Sequence, residues 1–476
     1  MHTVTPIRAP RPFSATALPP LLTHEMLQRL DQPGPRYTSY PTADRFVDAW
    51  GAEQHHAALA QRREAVVAPP LSVYVHVPFC ESVCYYCACN KIITRHHERG
   101  TEYLDWLERE LALTVDVLGR GQALSQLHLG GGTPTFLSDA ELARLMAALR
   151  RDFNLLPGAE CAIEVDPRTV TPQRLQHLRE LGFNRLSLGV QDFDPAVQAA
   201  VHRIQLQADV QVLVSAAREL GFESINVDLI YGLPRQTPAS FARTVAEVAK
   251  MRPDRIALYG YAHLPARFKP QRRIDAAELP SGEQRLRMLG GAIEGFIGSG
   301  YAYIGMDHFA LPEDALAVAQ RQGRLHRNFQ GYSTQPEGDL LGLGVSAIGR
   351  IGASHSQNAK TLPEYQDALA QGRLPVVRGL ALSRDDLLRR SVIMGLMCQG
   401  RVDFEAVEQA HLVRFDTCFA NELAALQPMA EAGLVELSAQ AIQLTPLGWF
   451  FVRAVAMVFD RYLQADTARQ RFSRII

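Results

Sequence analysis

The chain has 476 residues, 47% of them hydrophobic, with 49 basic and 50 acidic side chains and a net charge of −1. That is enough for two or three domains and a large core, and the charge balance excludes a general attraction to nucleic acid or anionic membrane. No apolar run reaches the ~18 uncharged residues of a spanning helix, and the first residues lack the apolar core of a secretory signal.

In chain order, Met1 to about Pro20 reads as a disordered tail. Arg8 and Arg11 lack nearby acids, as in a transit peptide, but Pro10, Pro12, Pro19 and Pro20 break its amphipathic helix. Glu25 to Leu30 is expected to start a short helix. PGPRYTSYPTADRF, Pro33 to Phe46, holds three prolines and is expected to be an extended arm. From Leu71, strands are predicted at 71–77, 125–130, 161–166, 185–190, 224–230, 255–261 and 301–305. They alternate with amphipathic helices such as Glu102 to Leu118, Asp139 to Phe153, Ala208 to Leu220 and Ser240 to Met251. Repeated βα units without a dinucleotide fingerprint predict a parallel sheet, as an open or partial barrel.

A further domain is expected from about Leu382. Ser383 with Asp386 has a capping-box pattern, and helices should follow from about Asp403 and Arg414. Gly433 ends a helix before the short strands LVEL and AIQL, and Leu447 to Leu463 is amphipathic. This winged-helix-like pattern suits DNA binding, but ten basic and eleven acidic residues between Arg384 and Ile476 leave no basic footprint. A lid over a substrate site is the preferred role. The expected division is 1–66 for the arm and its helices, 67–381 for the α/β domain and 382–476 for the mainly helical domain.

Four of the seven cysteines lie in LSVYVHVPFCESVCYYCACN, Leu71 to Asn90, directly behind a predicted strand that Pro78 stops. Cys80, Cys84 and Cys87 are spaced C-x3-C-x2-C, and Cys89 follows. Cys161, Cys398 and Cys418 are scattered, so the clustering is of metal type and points to a reducing cytoplasm. Thiolates suit iron-sulfur clusters and zinc. Structural zinc commonly takes two separated pairs, whereas three cysteines crowd one loop here. A zinc knuckle and inert buried thiols remain the alternatives.

Other unusual residues fall at the carboxyl ends of predicted strands, where loops of parallel α/β folds converge. Gly130-Gly131-Gly132-Thr133-Pro134 follows the second strand, and Glu164, Gln191, Asp228 and Ala262 follow later ones. Glycines allow close approach of backbone to ligand, or simply a tight turn. A carboxylate such as Glu164 can accept from a ribose diol or serve as a cap or salt-bridge partner. His55-His56 and His96-His97 read as surface residues. Asp307, His308, His326, Arg327 and Tyr332 occupy short polar segments.

The cysteine spacing, with Tyr86 before the third cysteine, resembles the cluster loop of radical S-adenosylmethionine (SAM) enzymes. YVHVPFC and CYYCACNKIITR, together with the PGPRYTSYPT arm, are similar to the oxygen-independent coproporphyrinogen III oxidases from about Pro33 onward. The resemblance implies an incomplete (β/α)6 barrel with an N-terminal arm and a smaller, mainly helical C-terminal domain. It implies one 4Fe-4S cluster on Cys80, Cys84 and Cys87, with one iron open to SAM. Tyr74, Gly131, Glu164 and Ile348 would contact the cleaved SAM. Tyr86, Gly132, Thr133, Gln191, Arg203, Asp228 and Ala262 match the contacts of a second SAM, Tyr86 standing where phenylalanine is often found.

The implied reaction is decarboxylation of two propionates of coproporphyrinogen III to vinyl groups through a 5'-deoxyadenosyl radical, giving protoporphyrinogen IX. The substrate's four carboxylates need partners, for which Arg36, Tyr37, Tyr40 and His308 are candidates, with the arm closing over the substrate. Implied partners are a donor such as flavodoxin or ferredoxin and an unspecified electron acceptor. A cytoplasmic monomer that binds neither nucleic acid nor membrane is expected. The rival is a related haem-binding protein, whose members typically carry an aromatic where Cys89 stands and lack the arm.

Overall fold

The structure is a computed structural model describing residues 33–306, 308–335 and 338–464. The expected tail before Pro20, the helix at Glu25 to Leu30, and Asp307 lie outside the described residues. The chain divides into two units, one of Ala43–Gly295 with Gly338–Leu382, the other drawn from Met1–Thr42, Phe296–Glu337 and Ser383–Ile476.

The larger unit is built on β1 (Leu71–Val77), β2 (Gln122–Gly131), β3 (Phe153–Val165), β4 (Arg185–Gln191), β5 (Ser224–Tyr231) and β6 (Arg255–Gly260). These pair in sequence order and all run parallel. Leu71, Val73 and Val75 are fully buried on one face of β1, which is the alternation that pins its register. Helices α1 (Glu98–Leu118), α2 (Asp139–Asp152), α3 (Pro172–Glu180), α4 (Gln207–Glu219) and α5 (Pro238–Met251) fill the crossovers. The starts of α2, α3 and α5 carry sequence-encoded side-chain caps, Ser138, Thr171 and Thr237; at α2, Ser138 Oγ accepts from the Glu141 amide (3.3 Å), and Glu141 accepts in return from the Ser138 amide (2.8 Å).

Four further strands extend the other side of β1: β7 (Leu340–Leu343), β8 (Ile348–Ile351), β9 (Ser354–Asn358) and β10 (Val376–Ala381). β7 is parallel to β1 and the next three alternate in direction, giving the linear order β10-β9-β8-β7-β1-β2-β3-β4-β5-β6 in this unit. Among the described residues the sheet does not close into a barrel. These strands are short and glycine-bearing or polar, as in SHSQN, and so gave no period-2 signal. One surface expectation is corrected here: His55 is buried and packs edge-on against Trp50 (6.1 Å between ring centroids).

Glu110 of α1 fastens this extension to the parallel strands. Its buried carboxylate accepts from Tyr365 Oη (2.6 Å), Asn358 Nδ2 (2.6 Å) and the Gly344 amide (2.7 Å). Nearby, Tyr103 Oη donates to the His76 carbonyl (2.7 Å) and accepts from the Val345 amide (3.0 Å), tying the end of β1 to the loop after β7.

In the smaller unit, Ala302–Gly305 pairs antiparallel with His308–Ala310. This corrects the prediction of a further parallel strand at 301–305: Gly305 (φ +127°) and Met306 (φ +45°) reverse the chain. A helix at Arg384–Gln399 opens on the expected Ser383/Asp386 capping box. Helices at Phe404–His411 and Ala420–Glu431 and an antiparallel sheet of Arg401–Asp403, Ala441–Leu444 and Val435–Leu437 complete a winged-helix-like pattern. The amphipathic stretch from Leu447 to Leu463, expected to be helical, is three short helices, Pro446–Phe450, Val452–Met457 and Arg461–Gln464; the Asp460 carboxylate accepts from the Tyr462 (3.0 Å) and Leu463 (3.2 Å) amides and starts the last of them.

The arm from Pro33 is extended and packed into this unit. Arg453 Nε donates to the Pro35 carbonyl (3.0 Å), Tyr37 Oη donates to Asp460 (2.9 Å), and Tyr40 Oη accepts from the Arg461 amide (3.3 Å). Among the described residues, no helix is long and apolar enough to cross a membrane.

Burial pushes the Glu110 carboxyl up to about 7 against its three hydrogen bonds. The folded chain therefore holds a proton there that the unfolded chain has released, and stability contributed by this group is lost as pH rises through about 7. The urea midpoint of the native protein should fall between pH 5 and 7.5 more steeply than that of Glu110→Gln; equal slopes would contradict this.

Candidate active site

β1 ends at Val77, before Pro78, and its continuation Phe79–Cys80 pairs with Ile92–Ile93 to close the cysteine loop on itself. The loop seats on the end of β2: the Gly132 amide donates to the Val77 carbonyl (2.8 Å) and the Thr133 amide to that of Phe79 (2.8 Å). A Cβ on Gly132 would lie 2.7 Å from the Pro78 carbonyl, and one on Gly131 (φ +120°) 2.7 Å from the His76 ring. The glycines are thus required by the approach of one strand end to the other. Thr133 Oγ1 then lies 3.4 Å from Cys80 Sγ.

Cys80, Cys84 and Cys87 line one cavity of about 310 Å³ at the carboxyl ends of β1 to β6. Of the residues expected at SAM, Tyr86, Gly131, Gly132, Thr133, Glu164, Gln191, Arg203 and Asp228 share that lining. Tyr74, Ala262 and Ile348 do not. Tyr74 acts one step back, stacked on His128 (5.8 Å, 24°) and bonded to His76 Nδ1 (3.1 Å). Ala262 is joined to the cysteine loop by Gln271, whose Nε2 donates to the carbonyls of Ala262 (3.1 Å) and Tyr86 (3.0 Å). Ile348 opens β8, its carbonyl 2.6 Å from where a Cβ on Gly342 would sit.

The electrostatics are divided. The Cys87 thiol is held down to about 6, first by a hydrogen bond with Cys89 and also by the Lys91 ammonium, whereas burial pushes Cys80 up to about 11. Arg203 (3.4 Å) and Arg168 (3.6 Å) donate to Cys84 Sγ, and Asp166 holds both, at 3.2 Å from Arg203 and 2.6 Å from Arg168. Glu164, its side chain partly open to the cavity, sits among donors: His128 (3.2 Å) and the Gly131 amide (3.1 Å) keep its carboxyl below the usual value although desolvation alone would raise it. Asp228, held by Ser187 (3.0 Å) and Asn226 (2.9 Å), is pushed up to about 6 by burial and then by Glu164.

Arg168 and Asp166 were missed by the sequence reading. The DPR run after Glu164 was their signal, since a proline-led turn behind a strand returns both charges to its end. Among the described residues, no three His, Cys, Asp or Glu side chains converge on the position of a single metal ion. A cubane cluster requires no such convergence, because each thiolate takes a different iron. Three thiols around one cavity, one already acidic, with two guanidinium groups at a second, fit the donor set of an anionic iron-sulfur cluster.

The candidate substrate residues lie in the smaller unit. Tyr37 and Tyr40 are 1% and 0% exposed, and their hydroxyls are engaged internally, so they are packing residues here. Arg36 is half-buried. His308 bonds the Met306 carbonyl through Nδ1 (2.7 Å), and burial, then Arg327 and Arg36, lowers it to about 3.

Residues 74–248 match the model of the radical SAM superfamily, and 382–451 match that of the HemN C-terminal domain. The chain is 50% identical to the oxygen-independent coproporphyrinogen III oxidase of Pseudomonas aeruginosa, over 95% of this chain and 98% of that one. To its Escherichia coli counterpart it is 48% identical over 95% and 98%. The solved structure of the Escherichia coli coproporphyrinogen III oxidase, described as a radical SAM enzyme, superposes with a TM-score of 0.86 at 49% identity, over 90% of this chain and 97% of that one. The radical SAM family brings a 4Fe-4S cluster and SAM as cofactors, and this chain belongs to its oxygen-independent coproporphyrinogen III oxidases.

Proposed function

We propose that the protein decarboxylates two propionates of coproporphyrinogen III to vinyl groups without oxygen, giving protoporphyrinogen IX in haem biosynthesis. The observation that carries this reading is the gathering of Cys80, Cys84 and Cys87 in one cavity with the Gly131–Thr133 turn and Glu164, in a chain half identical to enzymes of that name. Cys80, Cys84 and Cys87 would hold the cluster; Tyr74, Gly131, Glu164 and Ile348 would hold the SAM that is cleaved. When bound, these groups supply the low-potential electron and the radical that removes a hydrogen from the propionate β-carbon.

The chain's own residues prepare the site. Arg168 and Arg203 offset the negative charge gathered at Cys84, and Asp166 fixes both guanidinium groups. Lys91 reaches the carbonyls of Cys87 (2.9 Å) and Cys89 (3.4 Å), holding the loop's last turn. Glu164, pinned by His128 and the Gly131 amide, offers a fixed acceptor for hydroxyl groups. Tyr86, Gly132, Thr133, Gln191, Arg203, Asp228 and Ala262 are assigned to a second SAM. A cytoplasmic monomer, reduced by a donor such as flavodoxin or ferredoxin and passing the electron released with each carbon dioxide to a separate acceptor, completes the reading.

Under anaerobic conditions with a chemical reductant, SAM, coproporphyrinogen III and cell extract as the source of an electron acceptor, reconstituted enzyme should form protoporphyrinogen and 5'-deoxyadenosine, and Cys84→Ala should reduce both to background. Deoxyadenosine without vinyl product would reject the substrate. The second SAM is tested by equilibrium dialysis. Because Asp228 titrates near 6, binding should fall from two equivalents toward one as pH drops from 7.5 to 5.5, and Asp228→Asn should bind one throughout. One equivalent in the native protein at pH 7.5 would contradict the assignment.

A further inference from the structure

Three cations of the larger unit meet at one edge of its sheet, and none of them makes an ion pair among the described residues. β9 runs in the same direction as β7 and β1, so Lys360, just beyond β9, emerges at the edge that carries the cysteine loop. The Asn90 side-chain amide, at the end of that loop, donates to the Lys360 carbonyl (3.0 Å). Arg378 stands in β10 opposite Gln357, donates to its Oε1 (2.7 Å) and lies over the Phe46 ring (5.9 Å). Arg267 arrives from the loop after β6 and rests against Phe268 (5.4 Å). Partial burial, then the charges of Arg378 and Arg267, hold the Lys360 ammonium below the usual lysine range.

Like charges gathered without a counter-charge repel one another, and the repulsion is relieved when an anion binds among them. Strand pairing fixes Arg378, and the Asn90 bond fixes the Lys360 backbone, so two of the three are held in place before a ligand arrives. Arg267 and Lys360 present exposed heads. Guanidinium and ammonium groups so placed match carboxylates, arginine in two-pronged fashion.

We propose that Lys360, Arg378 and Arg267 recognise the carboxylates of the two porphyrinogen propionates that do not react. The assignment rests on the function proposed above. Those two carboxylates stay charged throughout turnover, whereas the reacting pair must enter the cavity and lose carbon dioxide. Holding the permanent charges beside Asn90, at the end of the cysteine loop, turns the opposite side of the macrocycle to the chemistry.

The test uses full-length, cluster-reconstituted enzyme with dithionite, so that no donor protein takes part. Iron content and SAM binding serve as controls for folding. Lys360→Gln and Arg267→Gln should each raise KM for coproporphyrinogen III by ~10-fold, the scale of one lost charge-assisted hydrogen bond, with kcat within about threefold. Lys360→Arg should restore KM. Equilibrium binding of coproporphyrin III, the stable oxidised tetracarboxylate, reads the same cluster without turnover and should weaken in parallel. Equal affinity in native and variant proteins would overturn the proposal, whether or not the native enzyme turns over. Unchanged KM and affinity with dithionite, together with slower turnover from an acidic flavodoxin, would overturn it in favour of donor docking.

Discussion

The site depends on how closely the end of β1 approaches the end of β2. Pro78 and Phe79 present carbonyl groups to Gly132, and the His76 ring and the Val77 carbonyl face Gly131, at distances that leave no room for a Cβ, while the amides of Gly132 and Thr133 bond across the gap. Any larger residue would push the cysteine loop away from the sheet and break both hydrogen bonds. With the gap closed, Thr133 reaches Cys80, Gly131 reaches Glu164, and thiols and carboxylate face one cavity.

Around that contact the charges are sorted. The cationic groups Arg168, Arg203 and Lys91 attend the cysteine loop, while the carboxylates Glu164 and Asp228 sit on the neighbouring strand ends. Each buried charge has named partners, as burial of unpaired charge would be costly. The extension beyond β1 is braced by Glu110 and Tyr103, so the loop after β7 and the end of β1 are held together. The same extension carries Lys360 to the edge of the cysteine loop.

Much of this was legible in the sequence. The six parallel strands alternate or run apolar, and glycine, proline and cap residues bound them, so hydrophobic period sufficed to find them. The cysteine spacing and its place behind a strand revealed the cavity, because strand direction decides which edge a following loop occupies. Other features were not legible. β9 is built of SHSQN, five buried polar residues set between two neighbouring strands, so no local pattern marks it. The arm's Tyr37 and Tyr40 looked available for substrate, yet their partners Asp460 and Arg461 lie more than 400 residues away, a pairing that no local reading supplies. Arg168 was overlooked because its meaning comes from Cys84, far away in sequence and 3.6 Å away in space.

The central claim is that a radical generated at this cavity removes hydrogen from the propionate β-carbon of coproporphyrinogen III. Its most direct test is turnover of substrate deuterated at those carbons, with mass analysis of the 5'-deoxyadenosine formed. One deuterium in the deoxyadenosine, with about two deoxyadenosines for each protoporphyrinogen, is the predicted result. Vinyl product accompanied by deoxyadenosine free of deuterium would contradict the account.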